Sequence, residues 1–356
     1  MATIISDQAR ADRFSWQRLW RGLFGSPLNT IITLAIVGLA AWMLPPLLRW
    51  AVLDAVWMGD AAACTGANGA CWAFIGAKFR FILFAFFPPV EHWRPSIVIG
   101  LVFGLVVVTG MPRFWRSSLV SIWLIVIVVT WILMSGGGIA LRVPSDQWGG
   151  LVLTLLIAIF GFAGAFPIGL MLALARRSRL GGIRTLAIVF IEIMRGVPMI
   201  AILYVAMLLV PMMLSDGITL AKLARAQIAL TLFYSAYLAE ILRAGLQAIS
   251  SGQFEGADSL GFGYWGKMRL VILPQAIRSV IPALVNLAIG ILQSTSLVAV
   301  IGLFDMLNAG RNAAMDPAWL GFYDEAFLFV GLIYFLLCFG GSRYSLWLEQ
   351  YLKRAT

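Results

Sequence analysis

Residues 149–174 read GGLVLTLLIAIFGFAGAFPIGLMLAL, a run without one charged side chain. At about 1.5 Å per residue a helix of this length crosses the roughly 30 Å of hydrocarbon in a bilayer. Lipid offers backbone N–H and C=O groups no partner, so the run must close its hydrogen bonds internally, as a helix. Gly161, Ala165 and Gly169 recur every four residues on one face, the spacing at which small side chains let helices approach closely in lipid. Pro167 interrupts the same run, which leaves helix packing and a gating hinge both open for it.

Further apolar runs lie near 29–48, 96–111, 118–134, 183–210, 224–246, 278–301 and 323–341, giving eight expected spans and an all-α polytopic membrane protein. The 356 residues are 61% hydrophobic and 12% charged, which leaves almost no chain for a soluble domain. The net charge of +10 is spread in short clusters between apolar runs, so it reads as a topology signal rather than a nucleic-acid surface. Arg10, Arg13, Arg18 and Arg21, then Arg113 and Arg116, Arg176, Arg177, Arg179 and Arg184, Lys267 and Arg269, and Arg343, Lys353 and Arg354 fall on one side by alternation. That side is expected to be the cytoplasm, with both termini in it. The opposite loops hold Asp54, Asp60, Asp146, Asp216, Asp305, Asp316, Asp324 and Glu325, mixed with some basic residues. The first apolar run is too long for a signal-peptide core and reads as a retained span.

The expected organisation is a tail over 1–28, a three-span unit with a periplasmic loop over 29–147, a five-span core over 148–345, and a second tail over 346–356. The boundary follows the glycine-rich stretch Ser135–Asp146. Phe74–Phe87, interrupted by Lys78 and Arg80, is short for a span and fits an interfacial or re-entrant helix. Cys64 and Cys71 share a Gly/Ala-rich loop, where a disulfide is open if the loop faces an oxidising compartment. His92 is the sole histidine, so no metal site is expected.

Function is legible in the long connection 247–275 of the five-span core. Glu255-Gly256-Ala257 is followed by Gly261 and then by Val271-Ile272-Leu273-Pro274. This spacing resembles the E-A-A-x3-G-x9-I-x-L-P signature of ATP-driven (ABC-type) importer permeases, with Gly256 in place of Ala and Val271 in place of Ile. The resemblance implies a short helix, a glycine turn at Gly261 and a second helix re-entering the membrane at Pro274. It further implies that this knuckle docks on an ATPase, with Glu255 offering a carboxylate and Ala257 and Leu260 packing into the partner's groove. Gly261 to Lys267 also matches a phosphate-loop pattern, but Met268 occupies the Ser/Thr position needed for Mg²⁺. The chain itself is therefore expected to bind no ATP, metal or other cofactor, with ATP and Mg²⁺ held by the partner.

Other stretches resemble the polar amino-acid branch of that family: Trp148-Gly149-Gly150-Leu151, Ile191 to Pro198 (IEIMRGVP) and Tyr237 to Gly245 (YLAEILRAG). Gly69-Ala70-Cys71-Trp72 and Trp93-Arg94-Pro95 are similar to the longer (M-type) permease of general L-amino-acid systems. The implied partners are cytoplasmic ATPase subunits, a second permease in a heterodimer, and a periplasmic amino-acid-binding protein, in a bacterial inner membrane. Glu192 with Arg195, and Glu240 with Arg243, stand three apart on their helices and can pair, since an intramembrane charge needs a partner or a polar cavity. Glu192, Arg195 and the run Gln293-Ser294-Thr295-Ser296 are candidates for a substrate pathway, with structural pairing and packing as the competing readings. Two other classes compete with the importer subunit. An ion-coupled secondary carrier would need no coupling loop, and a membrane enzyme would need a nucleophile or metal constellation that is not evident.

Overall fold

The computed structural model describes residues 16–116, 118–138, 140–214 and 219–354; Arg10, Arg13 and Asp216 of the charge pattern lie outside them. Among these residues the regular structure is helical, with two isolated bridges, Val56 to Cys71 and Gly150 to Asp305. The chain divides into two compact units, 1–76 and 77–356. The division expected from sequence, 29–147 against 148–345, differs: the second and third spans belong to the same unit as the five-span core.

In the first unit a short helix α1 (Trp16–Phe24) leads into α2 (Pro27–Leu48). Ser26 accepts a hydrogen bond from the Asn29 N–H at 3.2 Å, which satisfies a donor that has no intrahelical partner. The Asn29 amide and the Thr33 hydroxyl then donate back to the Gly22 and Leu23 carbonyls, at 3.0 and 2.9 Å. No residue of α2 is buried, as expected of a helix with lipid on every side. Beyond it α3 (Ala61–Cys64) and the start of α4 (Trp72–Phe84) are joined by a Cys64–Cys71 disulfide, with Cα atoms 5.7 Å apart.

The second unit begins with the rest of α4 and the helices α5 (Trp93–Gly110) and α6 (Ser118–Ser135). Arg94, fully buried at the start of α5, donates to the carbonyls of Leu133, Met134 and Leu141 at 2.6, 3.1 and 2.9 Å. Two of these are the open C-terminal carbonyls of α6, which a guanidinium fork can satisfy together. Glu91 balances the charge at 3.3 Å and the Phe87 ring lies 5.2 Å from the guanidinium carbon.

At the centre, α7 (Gly150–Arg176) packs along α11 (Lys222–Ala248). A Cβ on Gly164 would stand 3.0 Å from Thr231, and one on Gly169 would stand 2.7 Å from Leu238 and 2.9 Å from the Ser235 carbonyl oxygen. Of the small-residue face read from the sequence, Gly169 is therefore where two backbones nearly touch, with Gly164 beside that face. Around this pair lie α8 (Gly181–Gly196), α9 (Met199–Tyr204), α10 (Val210–Met213), α12 (Ser251–Ser259), α13 (Tyr264–Lys267), α14 (Leu273–Ser294), α15 (Met306–Ala313) and α16 (Tyr323–Arg354).

Among the described residues seven helices are long and apolar enough to cross a membrane, or eight with one bent pair. The bent pair corrects the expected span 183–210: α8 and the Met199–Met213 segment meet at 105°. Pro198 drives the residue before it out of the α region, and Val197 is extended at φ −98° and ψ 135°. Pro274 sits in the first turn of α14, as the resemblance implies, but the backbone before it is helical as well. From α13 a π turn, Met268–Ile272, leads directly into α14, so the three make one continuous span; the wider turn accommodates a residue that has no N–H to donate.

Replacing Arg94 with Met should lower the stability of the detergent-solubilised chain by about 3 kcal/mol or more, because three carbonyls and Glu91 lose their partner together. Thermal unfolding measures it, and Arg94→Lys should recover only part of the loss.

Candidate functional site

The connection 247–275 folds as a compact knuckle. Its helix α12 ends where Gly261 takes φ +76°; the Gly261 N–H donates to the Asp258 carbonyl and the Phe262 N–H to the Ala257 carbonyl, at 3.0 and 3.2 Å. These bonds form a Schellman cap, which requires a left-handed residue at the position Gly261 occupies. Lys267 pairs with Asp258 across the turn, and the Gln275 amide donates to the Gln253 side-chain oxygen at 3.0 Å.

Beneath the knuckle is a core of Ala239, Leu242 and Leu246 from α11 with Met268, Ile272 and Ala276, against which Phe254, Val271 and Leu273 pack. Ala257 is 3% exposed, so the expectation that it packs into a partner's groove is corrected: it is spent inside this chain. Leu260 is 77% exposed and Trp265 72%. Glu255, Gly256, Gly261 and Pro274 are also exposed. A Cβ at Gly256 would meet nothing within 4 Å, so the departure from Ala costs no packing. Arg177 braces the knuckle from α7, donating to the Leu246 carbonyl at 3.1 Å with its guanidinium carbon 5.7 Å from the Phe254 ring centre.

Deeper in the bundle the charges form one network. Glu240 is its hub: it accepts from Arg176, from Arg243 at 2.9 and 3.0 Å, and faces Arg195 at 3.9 Å. Glu192 reaches Arg176 at 3.4 Å. The Glu240–Arg243 pairing within one helix is present, whereas the expected Glu192–Arg195 pairing gives way to bonds between helices. A carboxylate with two oxygens accommodates several guanidiniums when three helices converge on it. Arg176 and Arg177 read from the sequence as a basic pair that closes the span; their approach to carboxylates elsewhere in the chain could not be seen there.

The polar run on α14 belongs to a separate cluster. Ser294 meets the Tyr234 hydroxyl, and Thr295 meets Tyr334 at 3.2 Å, while Gln293 is exposed. Tyr334 in turn lies 3.4 Å from Asp305. Asp305 caps α15 by accepting from the Leu307 and Asn308 N–H groups, both at 3.1 Å, and the Met306 N–H donates to Thr154 at 3.0 Å. Burial pushes the Asp305 carboxyl up to about 7, against the backbone hydrogen bonds that favour its ionised form. Nothing in the sequence motifs pointed to Thr154, Tyr334 or Asp305 as a cluster.

Residues 165–354 match the model of the family described as binding-protein-dependent transport system inner membrane component. The chain is 45% identical over 343 residues to the inner membrane amino-acid ABC transporter permease protein YhdY of Escherichia coli K12, covering 94% of this chain and 92% of that one. It is 34% identical over 408 residues to the glutamate/glutamine/aspartate/asparagine transport system permease protein BztC of Rhodobacter capsulatus, covering 95% and 93%. Among solved structures, one of an amino acid ABC transporter with histidines matches with a TM-score of 0.50 at 32% identity, over 58% of this chain and 92% of that one.

Glu240→Ala should destabilise the solubilised chain by about 2–3 kcal/mol, since three guanidiniums lose a shared and largely buried carboxylate. Asp305 sets a pH dependence of opposite sign to that of an ion-paired carboxylate. Its carboxyl ionises near 3.8 when unfolded and near 7 when folded, so its stabilising contribution is full below about 4 and is lost as pH rises to about 7. Thermal midpoints between pH 5 and 8 should fall with rising pH, and Asp305→Asn, which can still cap α15, should flatten that slope.

Proposed function

The chain belongs to the family of binding-protein-dependent transport system inner-membrane components, and from that premise we propose that it carries L-amino acids inward through the membrane under the control of the Gly261-capped knuckle. As a multi-pass inner-membrane permease of an ABC importer, it works with a separate ATPase and a second permease and performs no hydrolysis itself. Amino acids are the substrate class in the descriptions of both long relatives, and the alignments extend over the N-terminal spans as well as the core. We assign the second permease to a shorter relative in a heterodimer, substrate delivery to a periplasmic binding protein, and both termini to the cytoplasm.

The observation that carries the mechanism is the knuckle's division into a buried and an exposed face. Phe254, Met268 and Ile272 fasten it to α11, so a force applied at the exposed Glu255, Leu260 and Trp265 is transmitted to that helix. Packed cores deform little; closure of the ATPase under the knuckle therefore moves α11 and what it holds. Glu240 and Arg243 lie on the same helix, about two turns from the knuckle, and Arg176 and Arg195 reach Glu240 from α7 and α8. Glu192 and Arg195, exposed on α8, together with Gln293 and Ser296 on the α14 side, supply polar surface for a zwitterion. Ser294 and Thr295 act behind them by holding Tyr234 and Tyr334. An ion-coupled carrier gives the exposed knuckle no task.

Glu255→Ala and Leu260→Arg should each reduce amino-acid uptake in whole cells by more than about tenfold while the membrane level of the chain stays normal. Normal uptake by both variants sinks the coupling assignment. The tagged wild-type chain in mild detergent should bring down an ATPase and a second permease.

A further inference from the structure

Beside the knuckle, where α7 ends and α8 begins, a cavity of about 460 Å³ is lined by Arg176, Arg177, Arg184, Ile188, Arg243 and Gln247. Its volume falls in the range of roughly 300–1,000 Å³ typical of sites for small organic ligands, larger than a bare ion needs. The charge in it does not balance. Four guanidiniums line it, and two carboxylates meet them: Glu192, through Arg176, and Glu240, which is also shared with Arg195. Arg177 is committed to the Leu246 carbonyl and Arg243 to Glu240 and Gln247. The Arg184 guanidinium has no hydrogen bond or ion pair among the described residues. A basic pocket between helices at a membrane boundary, holding one uncommitted guanidinium, has the chemistry of a phosphate site.

We propose that this cavity binds a phosphate group, carried by the headgroup of an anionic phospholipid of the leaflet on the knuckle's side. Lipid is favoured as the source because the adjoining start of α8 also exposes Leu180, Ile183 and Leu186, at 64%, 47% and 73%, apolar surface suited to acyl chains. A phosphate bridging Arg184 on α8 and Arg243 on α11 ties together two helices whose junction supports the knuckle, so occupancy stiffens the transmission path. Placing this leaflet in the cytoplasmic half of the membrane rests on the importer reading above; the binding site itself rests only on the cavity and its charges.

The test uses the purified full-length chain in neutral detergent, wild type and Arg184→Gln, followed by thermal midpoint during titration. The ligands are phosphatidylglycerol, phosphatidylcholine, inorganic phosphate and L-glutamate. Arg184→Gln should keep the wild-type midpoint without ligand, because its guanidinium holds no other residue. Phosphatidylglycerol should raise the wild-type midpoint at least tenfold more potently than phosphatidylcholine, and Arg184→Gln should weaken that response about tenfold, the loss of one charge-assisted contact. A response to inorganic phosphate at matching concentration, abolished by Arg184→Gln, with none to phosphatidylglycerol, supports the phosphate site and assigns it a soluble ligand. A response to L-glutamate alone, no response to any phosphate, or equal titration of the two proteins overturns the proposal. Failure to copurify an ATPase would overturn the importer reading and leave these titrations unaffected, so the two can fail separately.

Discussion

The close approach of α7 and α11 is the constraint on which the rest of the second unit depends. In lipid there is no hydrophobic drive between helices, so attraction must come from dispersion at short range and from polar contacts between helices. Gly169 brings the α11 backbone against α7 at distances that a methyl group would violate, and Gly164 leaves room for the Thr231 side chain. Once the two axes are that close, the end of α7 carries Arg176 to Glu240 and Arg177 to the Leu246 carbonyl. The charge network and the brace under the knuckle are thus consequences of small side chains roughly two to three and a half turns away. Helix α11 continues the pattern at its far end, where Gly245 lies against the Ala276 carbonyl of α14.

This arrangement gives α11 two kinds of attachment. Along its length it is fixed by packing; near its end it is fixed by guanidiniums and by the apolar core under α12. Rigid attachment at both places is what the proposed transmission from the knuckle needs, since a compliant joint would absorb a displacement before it reached the membrane. The broken path of α8 at Pro198 and the π turn before Pro274 place backbone irregularities at the flanks of that route. In lipid, such irregularities persist where neighbouring protein or local adjustment satisfies the freed groups.

A good deal of the site was legible in residue order. The spacing from Glu255 to Pro274 located the knuckle, and the need for a turn identified Gly261, because a cap with left-handed backbone leaves glycine as the ready choice. Which knuckle residues face outward was not legible. Ala257 and Leu260 are both apolar and three apart, yet one is sealed beneath the turn and the other is open. The sequence reading of Trp93-Arg94-Pro95 as a likeness to the longer permeases missed that Arg94 closes the end of α6, since its partners are carbonyls some forty residues away.

By itself the sequence determined that this chain lives in a bilayer, about how many times it crosses, and where a glycine-capped knuckle interrupts the spans. Those conclusions rest on run length, local charge and a short-range motif, properties in which each residue's contribution depends on near neighbours along the chain. Tertiary structure alone decided that Glu192 turns to Arg176 rather than to Arg195, that Glu240 serves three arginines, and that Asp305 meets Tyr334 and thereby Thr295. The physical reason is that a buried charge takes whichever opposite charge the helix packing brings within reach. Packing is set by close contacts between distant segments, and those are written in no local pattern.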